Sequence, residues 1–437
     1  MSTDAARPGR LLSLAGSAFV VLAAEPLYVL VDTAVVGHLG DVPLAGLGVA
    51  GTLLSLVVTV GGFLAYGTTS RAARWYGAGR SDRAVAEGAQ ATWLAVALGL
   101  LGVALGEVFA GPLTHALAGG DTAVRAAAEQ WLRIAVLGLP FVLIVVASHG
   151  WLRGVQDTRT PIRVVLIANA VSAVLAPVLV YPVGLGLAGS AVANVVAQAL
   201  GAGMFLRVLL RRTGAVRPHW PTMRAQLVVG RDLLLRSLGF QASFLTASGV
   251  AARMGVAQVG AHQIALQLWL FLALVLDAFA IAAQSLVGAA LGGSDVATAR
   301  RTAWRVARLG LLVGVVVGAL VAAGHSVVPA LFTSSDAVRQ QAAILWPWFV
   351  VMMPAAGLVF ALDGVLIGAG DVAYLRNLTL VAALLFFVPI DLAALHWQWG
   401  IGGVWAGLTA FMGVRLVGMI IRCSGQRWLV LGETRGG

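Results

Sequence analysis

Continuous apolar runs recur along this chain, and they restrict it to folds that lipid can surround. Residues 94–105, 164–183 and 378–395 are three such runs. With their flanking residues, several runs reach the roughly 20 residues that an α-helix needs to cross the hydrocarbon core of a bilayer. Because the runs are continuous rather than alternating, a transmembrane β-barrel is excluded. Only 11% of the 437 residues are charged, against about 25% in soluble proteins, so we predict an all-α polytopic membrane protein.

The chain also repeats itself, from Asp121 onward, at a constant distance of 214 residues. The matching residues are Ala123 to Arg125 with Ala337 to Arg339, Pro140 with Pro354, Gly150 with Gly364, Gly154 with Gly368, Asp157 with Asp371, Gly186 with Gly400 and Gly189 with Gly403. A constant register without gaps indicates duplicated halves. Duplicated halves in an apolar chain are typical of secondary transporters, whose binding site lies between the repeats.

The apolar runs predict twelve membrane-spanning helices, six in each half. Their ranges are 10–37, 43–74, 84–109, 128–152, 161–182, 185–210, 235–254, 258–291, 302–324, 341–368, 373–394 and 400–422. All 29 basic residues are arginine, and 25 of them fall at one end of these spans, with Arg125, Arg133, Arg253 and Arg339 at the other. Since cytoplasmic loops are enriched in arginine, both termini are predicted to be cytoplasmic. An even number of spans in each half makes the two repeats parallel.

These spans divide the chain into four predicted regions. They are an N-terminal six-helix lobe at 1–210, a cytoplasmic linker at 211–234, a C-terminal six-helix lobe at 235–424 and a cytoplasmic tail at 425–437. The first apolar segment continues to Gly37, so we expect a complete span rather than a cleaved signal peptide. We expect a multi-pass monomer in the plasma membrane of a bacterium, in contact with the lipid bilayer.

Residue usage argues against several other classes of protein. The net charge of +11 does not indicate nucleic-acid binding, because the arginines lie in short loops at the ends of the spans. Cys423 is the single cysteine, which excludes an internal disulfide and a cysteine metal cluster. A chain without lysine cannot carry the lysine of a Walker motif, and the seven histidines show no metal-ligand spacing. We predict no enzymatic activity, no cofactor and no bound metal.

Several segments resemble transporters of the multidrug and toxic compound extrusion (MATE) family. EPLYVLVDTAVVGHLG at 25–40 resembles their first span, GWLRGVQDTRTP at 150–161 their loop after span four, and DGVLIGAGD at 363–371 its counterpart after span ten. ARMG, GAHQI and LDAFA, all within 252–280, are similar to the DinF-like (DNA-damage-inducible protein F) branch. The resemblance implies the MATE-like fold of the MOP superfamily, with two six-helix repeats, and cation-coupled export of organic compounds.

Carboxylates inside the spans are candidate ion-coupling sites, because a charge at bilayer depth is costly. Asp32 lies in span one, Glu25 is two helical turns earlier on nearly the same face, and Pro26 permits a bend there. A carboxylate in a partly dry cavity can hold a proton near neutral pH and exchange it for a cationic substrate. The resemblance implies that Asp32 is the coupling aspartate of the N-terminal lobe. The alternative is a hydrogen bond that only fixes helix packing.

The chain departs from the MATE pattern in span five. Proton-coupled prokaryotic members of this branch often carry a second acid directly before a proline, whereas here Ala176 precedes Pro177. Asn169 in span five, with Asn194 and Gln198 in span six, is a candidate to supply neutral hydrogen-bonding groups to the cavity. The same amides are equally suited to joining helices.

The second half has its own candidate carboxylates. Asp277, near the middle of span eight, and Asp363, toward the cytoplasmic end of span ten, are the candidate ion-coupling residues there. Asp391, near the outer end of span eleven, is predicted to be solvated. Asp157 and Asp371 recur in both repeats at loop turns, where a structural or gating role is expected because loop aspartates cap helices.

Three further residues are candidates to line a substrate cavity. His262 and Gln263 follow the outward turn into span eight, and a histidine there could sense protons, although a packed hydrogen-bonding role is the simpler interpretation. Tyr28 in span one could attract organic cations through its ring face.

Together these features predict a secondary exporter. A proton, or less favourably sodium, enters while a cationic or amphipathic organic compound leaves the cytoplasm. One alternative is a lipid-linked oligosaccharide flippase of the same superfamily, which should have a strongly cationic cavity. The other is a non-transporting scaffold or channel subunit, which has little reason to keep buried acids.

Overall fold

The computed structural model describes residues 8–214 and 217–433, almost all of them α-helical. The helices of the first half are α1 (Pro8–Gly37), α2 (Asp41–Gly61), α3 (Phe63–Gly77), α4 (Ser81–Leu117), α5 (Thr122–Val136), α6 (Leu139–Gly154), α7 (Arg159–Val180) and α8 (Leu187–Thr213). Those of the second half are α9 (Trp220–Met254), α10 (Val256–Gly292), α11 (Val296–Ala323), α12 (Val327–Phe332), α13 (Asp336–Gly368), α14 (Val372–Val381), α15 (Val388–His396) and α16 (Gly400–Ser424), with a π-helix, Ala382–Phe387, between α14 and α15. Arg7 and Arg435, both among the predicted cytoplasmic arginines, lie outside the described residues.

These helices form the twelve predicted spans. Three of the spans consist of consecutive helical pieces: α2 with α3, α5 with α6, and α14 with the π-helix and α15. Ten helical stretches among the described residues are long and apolar enough to cross a membrane, and α5 with α6, bent by 55°, is an eleventh candidate. The seventh predicted span lies in α9, which has 35 residues but carries Arg224, Arg231 and Arg236 in its first half. The prediction of an all-α polytopic membrane fold with two six-helix repeats is therefore confirmed.

Large apolar side chains lie on the outside of these helices. Val174 of α7, Leu245 of α9 and Leu320 of α11 are 67%, 72% and 67% exposed. A water-soluble surface rarely presents extended apolar patches, whereas the hydrocarbon of a bilayer accepts them. The exposed faces therefore suit a multi-pass membrane protein.

The described chain forms two compact units. One is Val20–Gly230, and the other contains the described residues of Met1–Phe19 and Arg231–Gly437. Both divisions fall inside a helix, α1 in one case and α9 in the other. Most of the segment predicted as a linker, 211–234, is helical, since α8 ends at Thr213 and α9 begins at Trp220.

The repeated glycines mark the closest helix contacts in each unit. A Cβ at Gly150 of α6 would lie 2.6 Å from the carbonyl oxygen of Ala65 in α3. A Cβ at the matching Gly364 of α13 would lie 2.1 Å from the carbonyl oxygen of Ala280 in α10. Real Cβ atoms do not approach backbone oxygens so closely, so only glycine permits these crossings. The sequence repeat thus records the same close helix packing in both halves.

Gly364→Ala is expected to lower the stability of the second unit by about 1–3 kcal/mol or more, because the added methyl group must displace the backbone of α10. The measurement is the thermal unfolding midpoint of the purified protein in detergent. Gly413→Ala is the matched control, since a Cβ at Gly413 meets no atom within 4 Å. Equal unfolding midpoints for the two variants would contradict this packing.

Candidate ion-coupling sites

A polar cavity lies within the first unit, between α1, α6, α7 and α8. Its volume is about 60 Å³. The polar side chains that line it are Glu25, Tyr28, His149, Asn169, Ser172, Asn194 and Gln198. Five of the residues predicted to bind ions or substrate therefore meet in one place, although they come from three different helices.

Hydrogen bonds between helices hold the amides of this cavity. Asn194 of α8 donates through Nδ2 to the hydroxyl oxygen of Tyr28, at 2.8 Å. Asn169 of α7 donates through Nδ2 to the carbonyl oxygen of Ala24, at 3.1 Å, two residues before Pro26 on α1. These bonds join α1 to α7 and α8, so the amides connect helices and line the cavity at the same time.

Asp32 is buried, with a residue exposure of 5%. The Ser190 hydroxyl donates to its carboxylate, with Oγ 2.7 Å from Oδ1 and 2.9 Å from Oδ2. Ser190 in turn accepts a hydrogen bond from Trp131 Nε1 at 3.2 Å. Among the described residues Asp32 takes part in no ion pair. A buried carboxylate supported only by a neutral hydroxyl can alternate between protonated and charged forms.

The partners of Asp32 were not predicted from the sequence, although one signal was present. Ser190 directly follows the repeated Gly189, and a Cβ at Gly189 would lie 2.8 Å from the backbone of Leu179. The glycine brings α8 close to α7 and places the next residue inside the unit. The polar residue beside the repeated glycine could therefore have indicated a buried hydrogen-bonding partner.

Pro26 lies inside α1, which continues as one helix from Pro8 to Gly37. The pyrrolidine ring removes one backbone hydrogen bond from this helix. The missing bond is the one from position 26 to the carbonyl of Leu22, so the helix is locally weakened in the turn that contains the cavity residue Glu25.

Asp363 of the second unit is buried between two arginines. Arg415 of α16, which is fully buried, lies 2.8 Å from Asp363 Oδ2, and Arg236 of α9 binds the same oxygen. The Arg415 guanidinium also lies 4.4 Å from the ring centre of Phe240. Two guanidinium groups on one carboxylate leave a net positive charge, so the negative charge of Asp363 is already neutralised by arginines.

The other candidates of the second unit are dispersed. Asp277 is half-buried on α10. His262 is fully buried, with Nε2 3.0 Å from Ser248 Oγ and its ring 5.9 Å from that of Trp405. Gln263 is exposed. A small apolar cavity of the second unit includes none of these three residues; it is lined by Phe244, Trp269, Met352, Trp405, Leu408, Phe411 and Met412.

Asp391 is not solvated, contrary to the sequence-based expectation. Its side chain is on α15 and has an exposure of 0%. The expectation placed it near the water-facing end of its span, but α16 packs against this part of α15 and covers it. The position of a residue near the end of a span does not determine whether a neighbouring helix covers that residue.

The MatE family model matches residues 17–178 and 233–392. The chain belongs to the MatE family. MatE proteins are membrane transporters, which agrees with the twelve-helix fold and confirms the resemblance to MATE transporters and to the DinF-like branch.

Individual MatE relatives are similar over most of the chain. Protein DETOXIFICATION 44, chloroplastic, of Arabidopsis thaliana is 31% identical over 93% of this chain and 80% of its own. DNA damage-inducible protein F of Escherichia coli strain K12 is 33% identical over 89% of this chain and 86% of its own. A solved structure of a multidrug resistance MATE family transporter of the MOP superfamily, in an outward-facing conformation, has a TM-score of 0.86 and 20% identity, covering 98% of this chain and 99% of that one. This last likeness shows the shared fold.

This MatE chain also contains a buried ion pair that sequence reasoning missed. Glu87 of α4 accepts hydrogen bonds from Arg71 Nη2 at 2.7 Å and Nε at 2.8 Å. It also accepts from Trp75 Nε1 at 3.3 Å and from Gln226 Nε2 at 2.8 Å. The carboxylate thereby joins α3, α4 and the start of α9 within the first unit. Its partners lie on other helices, so no local sequence pattern predicted them.

The aspartates repeated at loop turns are both held by arginines. Asp157 accepts from the backbone N–H and the hydroxyl of Thr160, and Arg212 Nη2 lies 2.6 Å from its Oδ2. Asp371 pairs with Arg422, whose Nε lies 2.6 Å from Oδ2. Burial alone would raise the pKa of Asp157, but the bonds from Thr160 and Arg212 outweigh it and hold the pKa below its ordinary value.

Asp157→Asn is expected to lower the free energy of unfolding by about 1 kcal/mol at neutral pH, because it removes the ion pair with Arg212 and the oxygen that accepts from the Thr160 hydroxyl. Since the folded pKa of Asp157 is lowered, its contribution is complete above a pH of about 4 and is lost as the pH falls through the folded pKa. Thermal midpoints of the wild type and the variant should therefore converge on acidification. A difference that persists unchanged below the folded pKa would contradict the ion pair, and Asp82→Asn, at an exposed acid, is the control.

Metal binding has no visible support. Among the described residues, no group of three or more His, Cys, Asp or Glu side chains could hold a metal ion. The side chains that line the first-unit cavity offer hydrogen bonds, a carboxyl group that can exchange a proton, and surface for contact with an organic molecule.

Proposed function

We propose that this protein is a secondary active exporter that moves cationic or amphipathic organic compounds out of the cytoplasm in exchange for an entering cation, a proton in preference to sodium. The observation that carries the proposal is the polar cavity of the first unit beside a buried carboxylate. Glu25 lines that cavity, and Asp32 lies two helical turns further along α1. Both are proposed ion-coupling residues.

Proton coupling is favoured over sodium coupling by the surroundings of Asp32. A proton needs one carboxylate oxygen, whereas a bound sodium ion draws on several oxygen ligands, such as unwound backbone carbonyls. The described partner of Asp32 is the single hydroxyl of Ser190, and α1 is helical throughout this region. The proposed exchange is therefore protonation of Asp32 and Glu25 against binding of an organic cation.

The organic compound would occupy the cavity of the first unit. Tyr28 offers a ring face for a cation, and Asn169, Asn194 and Gln198 offer neutral hydrogen-bonding groups. Coupling requires that the ion and the compound bind differently to two conformations. Bending of α1 at Pro26 is the proposed hinge motion, because a proline weakens a helix at a defined point.

We propose that the second unit also binds the coupling ion and the organic compound, although its candidate residues are dispersed. Asp277 and Asp363 are its proposed ion-coupling residues, and His262 and Gln263 its proposed cavity residues. Asp363 is already bound by two arginines, so an ion-coupling role would require that cluster to open. We further propose a monomer in the plasma membrane of a bacterium with both termini in the cytoplasm, and lobes at 1–210 and 235–424.

The test is efflux of the fluorescent organic cation ethidium from proteoliposomes under an imposed pH gradient or an imposed sodium gradient. Efflux that follows the pH gradient and ignores the sodium gradient is the expected result. Efflux driven by sodium alone would replace the proton in the proposal. If neither gradient drives the efflux of any organic ion tested, the exporter proposal fails, and the same vesicles can be tested for flipping of a labelled anionic lipid.

A further inference from the structure

Asp391 carries a carboxylate that the proposed transport cycle does not yet use. Its exposure is 0%, and neither carboxylate oxygen has a hydrogen-bond partner among the described residues. In the same unit, Asp232, Asp363 and Asp371 are each bound by at least one arginine. Asp391 therefore differs in kind from these buried aspartates.

Asp391 lies on a helix that is tightly packed against its neighbour. Its helix α15 packs on α16, where a Cβ at Gly403 would lie 2.7 Å from Ala394 and one at Gly407 would lie 3.3 Å from Ile390. With an exposure of 0% and no partner for either oxygen, the carboxyl group is closed off from bulk water in the described conformation. An ionised carboxylate without water, partner or counter-ion costs far more than the net stability of a domain allows, so the buried group holds a proton.

No cation on the neighbouring elements can replace that proton. The π-helix Ala382–Phe387 has no titratable side chain. The titratable side chains of α16 are Arg415, Arg422 and Cys423; the first two bind Asp363 and Asp371, and the thiol is buried beyond them. On α15 itself, His396 is exposed and packs beside Trp397.

The helix is interrupted just before Asp391. The π-helix ends at Phe387, and Pro389 follows as a residue without a backbone N–H. Short π-helical segments are rare and often occur at functional sites, and both π-bulges and prolines are recognised causes of helix bends. α15 therefore has a built-in point at which it can turn relative to α14 and carry Asp391 between closed and open surroundings.

The repeat adds an independent comparison. At the 214-residue distance, Asp391 corresponds to Pro177 of α7, which lies inside that helix. Both halves thus carry a proline in the fifth span of the repeat, and Pro389 corresponds to position 175, two residues before Pro177. Only the second half has an acid close to that proline. In the first half the buried unpaired acid is Asp32, on a different helix.

We propose that Asp391 is a proton-binding site of the second unit, occluded in the described conformation and opened by bending at the π-helix. Its ligand is a proton: the O–H bond forms at a carboxylate oxygen when the site opens to water on one side, and the proton returns to water on the other. The inference rests on the proposed exchange of protons for an organic compound. It adds one proton to each cycle beyond those carried by the first unit.

The first arm of the test does not depend on transport. Infrared spectra of the full-length protein in lipid at neutral pH should contain the carbonyl band of a neutral carboxylic acid that disappears in Asp391→Asn. Asp336→Asn is the control, because Asp336 is exposed and paired with Arg339, and this variant should leave the band unchanged. Identical spectra of the wild type and Asp391→Asn in this region would overturn the proposal.

The second arm measures the number of coupled protons. In proteoliposomes, the steady-state ethidium gradient supported by a pH difference of one unit should fall about tenfold in Asp391→Asn if one proton is lost, since each proton contributes one factor of ten per pH unit. An unchanged gradient would mean that the bound proton is structural and would overturn the proposal. If a pH gradient drives no efflux even in the wild type, the exporter proposal fails, while the infrared band still decides whether Asp391 holds a proton.

Discussion

Asp32→Asn is expected to abolish efflux driven by a pH gradient, to the level of liposomes without protein. Asparagine keeps the volume of the side chain and can still accept the hydrogen bond from Ser190 through its amide oxygen. It cannot take up or release a proton, so the step that links the gradient to the organic compound is lost. The measurement is the initial rate of ethidium efflux from proteoliposomes at equal protein density.

The variant should remain folded, because the hydrogen bond from Ser190 is kept. Its thermal midpoint is expected to lie close to that of the wild type, which separates a loss of coupling from a loss of structure. Asp277→Asn in the same assay compares the half-buried acid of the second unit. Unchanged coupling in Asp32→Asn would remove this residue from the mechanism and leave Glu25 as the acid of the first unit.

Asp363→Asn is expected to lower the free energy of unfolding by about 3–5 kcal/mol, because removal of one partner leaves buried charge without compensation. Arg415 is fully buried, the Arg236 side chain is 17% exposed, and both depend on the same carboxylate oxygen. Without it, two guanidinium groups would face each other across α9 and α16. The measurement is the thermal midpoint in detergent, together with the yield of folded protein from the membrane.

Asp336→Asn is the matched control for Asp363→Asn. Asp336 also pairs with an arginine, Arg339, but it is largely exposed, and surface ion pairs contribute about 0–1 kcal/mol. A large loss for Asp363→Asn beside a small loss for Asp336→Asn is the expected pattern. A stable Asp363→Asn protein that has lost proton coupling would contradict the structural role and support the proposed ion-coupling role.

The spans and their duplication were predictable because both depend on local sequence. In lipid an apolar run must be helical, because only a helix pairs all the backbone groups of the segment within itself. The run at 164–183 therefore predicts α7 without knowledge of its neighbours. The repeated glycines were visible for the same reason, and Gly150 and Gly364 occupy equivalent close contacts. The first-unit cavity also followed in part, since the family resemblance identified Asp32 and the polar residues of spans five and six were few.

Partners distant in sequence were not predictable. Arg415 lies 52 residues and Arg236 127 residues from Asp363, and no periodic pattern connects them. Asp391 was misplaced because its depth was judged from its position along a span, whereas its burial depends on how α16 covers α15. The π-helical interruption was not predictable from hydrophobicity either, since its sequence, AALLFF, is as apolar as the rest of the span.

The division of the molecule within α1 and α9 has a consequence for synthesis of the protein on the ribosome. The described start of α1, up to Phe19, is made first, yet it belongs to the unit whose other residues begin at Arg231. At about 5–20 residues per second, that segment waits roughly 10–40 seconds for its first partners to emerge. A chain cut between the two sequence halves would give fragments that each lack part of their own packing. Such fragments should therefore assemble only when they are produced together.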